Sequence, residues 1–406
     1  MKMIIQIAWR NIWRNPMRSI VIILSVALGL WAGAFVSALY WGVSEGRVRM
    51  AIENEVSHIQ IHHPEFKNDY KASFYFPEDS AIRNILKKEK NIKAFSFRSV
   101  AQGMLTTPGS STGVNFNGID PVAEDSTTHL GRMIIEGNYF NPEKHNQILI
   151  GYKLASKLKI KVKSKVVLSC LDTAENISSA AYKVAGIYRS GNSSRDEMNV
   201  FVIKSDLNEM LGIMNQAHET AILLDDNQNL EKCKKYLQHS LKGLQVETWK
   251  EISPETDLII STMTQVSTIF IIIILIALCF GIVNTMLMAI LERTRELGMI
   301  IALGMTRTKI FFMILIETFM LVMIGCPIGL FIAWVSILYF GKHGINISSF
   351  ASQAMSNFGF PTIMYPSLPF GAYIQIIGLI IIAAILSAIF PAIKAVKLHP
   401  AETLKS

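Results

Sequence analysis

Four long apolar stretches constrain this sequence more than any other feature. They are Ser19–Tyr40, Ile269–Leu291, Ile310–Phe340 and Phe370–Ile393. At 1.5 Å per helical residue, each stretch is long enough to cross about 30 Å of hydrocarbon. Half of the residues are apolar and only 17% are charged, which is unusual for a soluble protein. The sequence therefore predicts a membrane protein with four transmembrane α-helices.

Pro327, between Gly325 and Gly329, lies inside the third apolar stretch. A proline in a helix interior removes one backbone hydrogen bond and clashes with the preceding turn. The sequence therefore predicts a kink or an interruption in this span.

The net charge of +8 could suggest nucleic-acid binding, so the location of the excess matters. Residues 45–257 contain 27 basic and 27 acidic side chains, whereas the rest of the chain contains 12 and 4. The whole surplus therefore lies near the apolar stretches, which is typical of topology signals and not of a nucleic-acid surface.

Short basic flanks set the orientation of the spans. Basic residues precede the first span, lie between the second and third, and follow the fourth, whereas the loop 341–369 contains only Lys342. The positive-inside rule then places both termini and residues 292–309 in the cytoplasm. Met1–Asn15 has apolar residues along one helical face with Trp9 and Trp13 beside it, which is typical of an interfacial helix or of the start of the first span.

The predicted organisation has nine parts. They are an interfacial amphipathic helix (1–17), transmembrane helix 1 (18–44), a periplasmic α+β domain (45–258), transmembrane helix 2 (259–291), a cytoplasmic coupling segment (292–309), transmembrane helix 3 (310–340), a periplasmic loop (341–369), transmembrane helix 4 (370–393) and a cytoplasmic tail (394–406).

The large domain between helices 1 and 2 alternates strand-like and helix-like segments. Lys165–Leu171, Asn199–Ile203 and Glu219–Leu224 are predicted strands. The pattern favours an α+β fold of two interleaved subdomains. Thr173–Ser179 and Ser190–Arg195 are polar and are predicted to be exposed loops, where a partner could bind.

The sequence contains few signs of a catalytic or metal-binding site. It contains no G-x-S-x-G, H-E-x-x-H or P-loop motif, so we predict no catalytic residues and no enzyme activity. His58 and His62 lie about 13 Å apart on an extended strand and His63 points to its other face, so we predict no metal site.

Lysines recur at every second position from Lys157 to Lys165. This pattern is typical of a sheet edge protected against aggregation, or of a docking surface for an acidic partner.

Small residues recur every four positions in two of the spans. They are Ser25, Gly29, Gly33 and Ser37 in the first span, and Ala277, Gly281, Thr285 and Ala289 in the second. Such faces let helix backbones approach closely, either within this chain or with a second subunit. Glu317 is the one acidic residue within a span, and we predict a structural or coupling role for it.

The segment 292–307 reads ERTRELGMIIALGMTR. It resembles the coupling segment of FtsX/MacB-type ABC transporter permeases, and Pro391–Lys405 is similar to the C-terminal motif of that family. Within the family, the segments 5–15, 57–62, 118–124, 148–155 and 184–191 look most like the LolC/LolE lipoprotein-releasing permeases.

This resemblance implies a permease subunit in the bacterial inner membrane that pairs with an identical or homologous second permease subunit. A cytoplasmic ABC ATPase dimer would bind ATP and Mg and dock on the coupling helix. The residues that match the family's coupling motif are Glu292, Arg293, Arg295, Glu296, Gly298, Gly304 and Arg307.

The lipoprotein-releasing version of the family implies extraction of lipoproteins from the membrane lipids and their transfer to a periplasmic carrier. Lifting acyl chains out of lipid costs about 0.8 kcal/mol per CH₂, so this task requires ATP. The alternatives are a MacB-type mechanotransmission exporter of periplasmic substrates and an FtsX-like regulator of cell-wall hydrolases that transports nothing.

Overall fold

The computed structural model describes residues 2–14, 16–141, 143–346, 360 and 363–397. The chain divides into two compact units. The helical unit comprises Met1–Ser44, Ser261–Ile345 and Ile363–Ser406, and the sheet unit comprises Glu45–Ile260 and Asn346–Thr362.

The helices, in chain order, are α1 (Lys2–Arg14), α2 (Pro16–Ala51), α3 (Phe66–Asp69), α4 (Ser80–Lys88), α5 (Pro121–Thr128), α6 (Tyr152–Leu158), α7 (Ser193–Met198), α8 (Lys204–Leu211), α9 (Leu230–Ser240), α10 (Trp249–Ile252), α11 (Pro254–Glu292), α12 (Thr294–Ala302), α13 (Arg307–His343) and α14 (Phe370–Val396). The strands are β1 (Ile59–His62), β2 (Phe76–Pro77), β3 (Ile92–Thr107), β4 (Ser110–Ile119), β5 (Ile134–Gly137), β6 (Gln147–Gly151), β7 (Lys165–Leu171), β8 (Ile177–Tyr188), β9 (Asn199–Ile203), β10 (Gln216–Ala217), β11 (Glu219–Leu224), β12 (Gln245–Thr248), β13 (Ile345–Asn346) and β14 (Ile363–Met364).

Four helices among the described residues are long and apolar enough to cross a membrane, namely α2, α11, α13 and α14. Their buried faces form one core in the helical unit, which includes Ile22, Val26, Ile282, Val322 and Ile380. Helix α11 contributes least to it, because only 11% of its most apolar window is buried, against 33–44% for the other three.

Helix α13 runs unbroken through Pro327, so the predicted interruption is absent. Transmembrane helices tolerate proline because neighbouring groups satisfy the freed backbone. The two flanking glycines serve close packing. A Cβ on Gly325 would lie 3.0 Å from the carbonyl oxygen of Ile23, and a Cβ on Gly329 would lie 2.6 Å from that of Ala27. The close approach of the α13 backbone to the α2 backbone therefore depends on these glycines, because only a residue without Cβ fits there.

The two predicted small-residue faces differ in their surroundings. On α2, a Cβ on Gly29 would contact Leu278 at 3.5 Å, and one on Gly33 would contact Ile376 at 3.9 Å, so this face packs within the chain. On α11, Ala277 is exposed and no atom lies within 4 Å of a Cβ on Gly281. The predicted close helix contact at this part of α11 is therefore not made by the described residues.

Helix α1 is amphipathic, as its sequence predicts. Ala8 and Ile12 are buried, whereas Trp9 and Trp13 are exposed and contact each other edge to face. Pro16 then begins α2, a position where the missing backbone donor costs nothing.

Six strands of the sheet unit form a closed ring of pairings, in the order β3, β4, β9, β6, β8 and β7, with β7 returning to β3. Its interior is filled by apolar side chains such as Leu105, Phe116, Leu168, Tyr182 and Val202. The ring is therefore a small barrel with a packed core. Only Lys165 of the lysine run lies in a strand, and this strand, β7, pairs on both sides, so the hypothesis of a protected sheet edge is wrong.

The first half of β3 belongs to a second sheet, in the order β12, β1, β11 and β3. Helices α4 and α9 pack on this sheet through Leu86 and Leu237 in a separate apolar core. The sheet unit thus consists of two subassemblies that share β3, which fits the predicted interleaved α+β arrangement.

Both predicted loops are partly regular structure. Residues 177–179 begin β8, and Asn192 caps α7 by accepting hydrogen bonds from Ser194 and Arg195. Their polar composition suggested loops, but the polar residues lie on the start of a strand and at the N-terminal cap of a helix.

The histidines near β1 are structural. Nδ1 of His58 accepts a hydrogen bond from the Leu224 backbone, and burial lowers the pKa of His58 to about 4. Nε2 of His62 lies 3.1 Å from Glu247, and His63 stacks on Phe74.

We expect Gly329→Ala to destabilise the helical unit by about 1–3 kcal/mol, because the new methyl group would overlap the Ala27 backbone. The measurement is thermal unfolding of the full chain in mild detergent. Gly378→Ala is the matched control, since Gly378 lies in α14 with no atom within 4 Å of an added Cβ. Equal unfolding temperatures for the two variants would show that the close approach does not matter.

Candidate functional site

The predicted coupling segment connects two of the long helices. Helix α11 ends at Glu292, the short helix α12 follows, and α13 begins at Arg307. The turn at Gly304 has a φ of +96°, in the left-handed region that glycine adopts at low cost. This glycine closes α12 and redirects the chain into α13.

Arg293 is the buried centre of this region. Its Nη1 lies 3.2 Å from Oε1 of Glu317 on α13, and its Nη2 donates a hydrogen bond to the Asn11 backbone oxygen of α1 at 3.1 Å. Arg293 and Glu317 are each only 8% exposed. Neither charge could stay buried without the other, so the pair fixes α1, α13 and the end of α11 together.

Two further ion pairs connect the N-terminal helices to the same segment. Arg14 of α1 pairs with Glu296 of α12, and Arg18 of α2 pairs with Glu292 at the end of α11. These pairs are more exposed than Arg293–Glu317, so each contributes little stability alone. Together, the three pairs attach α12 and its flanks to three neighbouring helices.

The predicted coupling residues differ in their contacts and in their exposure. Glu292, Arg293 and Glu296 bind side chains of this same chain, and Gly298 is buried. Of these four, Arg293 and Gly298 are buried, so a coupling role for them would act through the packing of this segment, and it stays a prediction. The exposed predicted residues are Glu292, Arg295, Gly304 and Arg307.

Sequence reasoning missed two exposed apolar residues on this segment. Leu303 is 88% exposed and Met299 is 49% exposed. Leu303 follows the end of α12, where the chain turns toward α13. We call the exposed residues Met299, Leu303, Arg307 and Lys309 the turn surface.

A cavity of about 260 Å³ lies beside the ion pairs. Its lining includes Ile7 and Asn11 of α1, Met286 of α11 and Met313 of α13, together with Glu317. Helix α1 is thus held by its buried residues Ala8 and Ile12 and by polar contacts with Arg293 and Glu296, with free space between them.

The sheet unit contains its own buried charge cluster. Arg98 pairs with Glu124 at 2.6 Å and with Glu219 at 2.8 Å, and it borders a polar cavity of about 570 Å³. The Arg98 guanidinium holds the pKa of Glu124 below its usual value. In the parts of the chain that the structure describes, no group of three or more His, Cys, Asp or Glu residues could hold a metal ion. We assign this cluster to fold stability.

Comparison with known families gives two matches that together cover most of the chain. Residues 19–240 match the MacB-like periplasmic core domain, and residues 268–400 match the FtsX-like permease C-terminal domain.

Three proteins of similar sequence are named as components of ABC transporters. An uncharacterized ABC transporter permease of Methanocaldococcus jannaschii is 24% identical over 99% of this chain and 97% of its own length. The pyoverdine export ATP-binding/permease protein PvdT of Pseudomonas syringae is 22% identical over 99% of this chain, which spans 59% of that protein. The uncharacterized permease YknZ of Bacillus subtilis is 28% identical over 48% of this chain and 42% of its own length.

Two solved structures resemble part of the chain. The periplasmic region of MacB from Actinobacillus actinomycetemcomitans covers 49% of this chain and 92% of its own, with 13% identity and a TM-score of 0.34. The extracellular domain of YknZ covers 47% of this chain and 99% of its own, with 16% identity and a TM-score of 0.33.

We expect Glu317→Leu to destabilise the chain by about 3 kcal/mol or more, because it leaves Arg293 buried without its carboxylate. Arg293→Met combined with Glu317→Leu should recover most of this loss, since no unpaired charge remains. Thermal unfolding in detergent of both single variants and of the double variant measures the coupling between the two residues. A double variant as unstable as the sum of the single variants would contradict the pairing.

Proposed function

Because this chain belongs to the family with a MacB-like periplasmic core domain and carries an FtsX-like permease region, we propose that it transmits ATP-driven movement from a separate cytoplasmic ATPase to the sheet unit outside the membrane. ABC permeases of this type work with an ATPase partner. The present sequence contains no P-loop, so ATP and Mg would be bound by that partner.

The turn surface supports this proposal. An exposed leucine and methionine beside Arg307 and Lys309 form an apolar patch with a basic rim, which suits a protein partner better than water. This surface lies between α11 and α13. A partner that pushes on it acts on both helices at once.

The three ion pairs would transmit such a force from this segment to the neighbouring helices. Arg293–Glu317, Arg14–Glu296 and Arg18–Glu292 attach the segment to α13, α1 and α2. Helices α2 and α11 each contribute residues to both units, so displacement of their helical-unit ends reaches the sheet unit through continuous helix.

Helix α11 supplies the argument for a second permease subunit. Its exposed side carries Ala277 and Asn284, with open space around Gly281. An asparagine amide facing hydrocarbon gains by hydrogen bonding to another helix, and small residues let that helix approach. We therefore propose that a second copy or a homologue packs on this side of α11.

For the substrate, we propose MacB-type export of molecules collected on the outer side of the inner membrane, with both termini of the chain in the cytoplasm. The match to the MacB-like core domain and the similarity to PvdT, named for pyoverdine export, favour this class. Lipoprotein extraction with transfer to a periplasmic carrier is the second candidate. It rests on the sequence segments that resemble LolC/LolE, and none of the relatives described above is named for that activity.

We expect Leu303→Asp to reduce co-purification of the ATPase with the full-length chain in mild detergent by about tenfold, because a carboxylate would replace the exposed apolar contact. Val122→Asp is the matched control, since Val122 is 75% exposed in the sheet unit. Undiminished co-purification with the Leu303 variant would remove the turn surface as the docking site.

We expect depletion of this protein, in a host with an outer membrane, to leave lipoproteins normally distributed between the two membranes. Quantifying lipoproteins in separated inner and outer membranes measures this. Accumulation of outer-membrane lipoproteins in the inner membrane would contradict the export proposal and select lipoprotein extraction.

A further inference from the structure

The outside of the barrel has one wall with an unusual composition. It is formed by β3, β7 and β8, whose register places cross-strand partners on the same face. The outward residues are Met104 and Thr106 on β3, Lys165, Val167, Ser169 and Leu171 on β7, and Ile177, Ser179, Ala181 and Lys183 on β8. We call these ten residues the barrel wall.

The barrel wall carries no carboxylate. A solvated sheet face usually mixes both signs of charge with polar residues. Here Leu171 is 54% exposed and Ile177, its cross-strand partner, is 79% exposed. Val167 faces Ala181, and the hydroxyl groups of Ser169 and Ser179 lie 2.8 Å apart and satisfy each other. The centre of the wall is therefore apolar or internally bonded.

The charge on the wall has a single sign. Lys165 and Lys183 are direct cross-strand partners, an arrangement in which like charges repel and destabilise the sheet. Lys161 and Lys163 lie in the turn that enters β7, and both are exposed. Among the described residues, no carboxylate lies within 4 Å of any of these four lysines.

Lys163 adds a conformational cost. Its φ of +72° lies in the left-handed region, where glycine or asparagine is accommodated more easily than lysine. Its backbone is held by a hydrogen bond to the Val184 carbonyl oxygen at 2.8 Å. Lys163 therefore supplies a positive charge at a position whose backbone conformation favours glycine or asparagine.

The nearest carboxylates along the chain do not offset this charge. Asp172 accepts hydrogen bonds from the backbone of Ala174 and Asn176 in the turn beyond Leu171. Glu175 lies 3.7 Å from Lys71. Both are at the opposite end of β7 from Lys165.

We propose that the barrel wall is a docking surface for an extracytoplasmic protein that presents an apolar patch bordered by carboxylates. The lysines at one end complement and orient the acidic border, and the apolar pairs at the other end supply buried area. A second copy placed wall against wall would bring lysines onto lysines. A lipid surface is less suited, because the wall carries none of the tryptophan or tyrosine residues that favour membrane interfaces. The proposal holds whether or not the chain transports a substrate.

Site-specific photo-crosslinking in cells that produce the full-length chain tests this directly. A photoreactive residue replaces Val167 or Ala181, and the control carries it at Lys235, an exposed position on α9. We expect both wall positions, but not the control, to form an adduct with one extracytoplasmic protein whose isoelectric point is below about 5.

Charge variants then test the chemistry. Lys165→Glu with Lys183→Glu should lower the adduct yield at Val167 by about tenfold, because like charges would face each other. Lys165→Arg with Lys183→Arg should retain the yield, as should the control Lys232→Glu with Lys235→Glu on α9. A yield that charge reversal leaves unchanged would overturn the proposal. An adduct of twice the mass of the chain, adducts with lipid only, or the absence of any adduct at both wall positions would do the same.

Discussion

The pair of Arg293 and Glu317 sets the condition on which the packing around α12 in the helical unit depends. A guanidinium and a carboxylate that have both lost water are stable only while they face each other. The helices that carry them, α13 and the end of α11, therefore cannot separate freely. The bond from Arg293 to the Asn11 carbonyl oxygen extends the same restraint to α1. The segment that we propose to transmit movement is thus held together by its most buried ion pair.

Packing in the rest of the helical unit follows a different rule. Gly325 and Gly329 let α13 approach α2 until backbone meets backbone, whereas α11 remains mostly uncovered. Attraction between helices in lipid depends on such close contact, because burying apolar side chains there gains little. Helices α2 and α13 are therefore closely packed, whereas α11 has an uncovered face.

The sequence predicted local features well and distant pairings poorly. The strands Lys165–Leu171, Asn199–Ile203 and Glu219–Leu224 have the predicted bounds, because alternation and β-branched residues act locally. The closure of the barrel through β7 and the Arg293–Glu317 pair were not predicted. Each depends on residues that meet only after the chain has folded, and no spacing along the sequence encodes them. At Pro327 the helix is not interrupted, and a kink there stays a prediction.

Strand β3 imposes an order on biosynthesis. Its second half can pair with β4, the strand that follows directly, but its first half and one edge of β1 must wait for β11 at residues 219–224. The other edge of β1 must wait for β12 at residues 245–248. Closing such long loops is entropically slow. The four-stranded sheet therefore cannot be completed until the ribosome has almost reached α11. Until β11 has been made, β1 and the first half of β3 have no strand partner, and this is the interval in which a chaperone or a protease has most access to them.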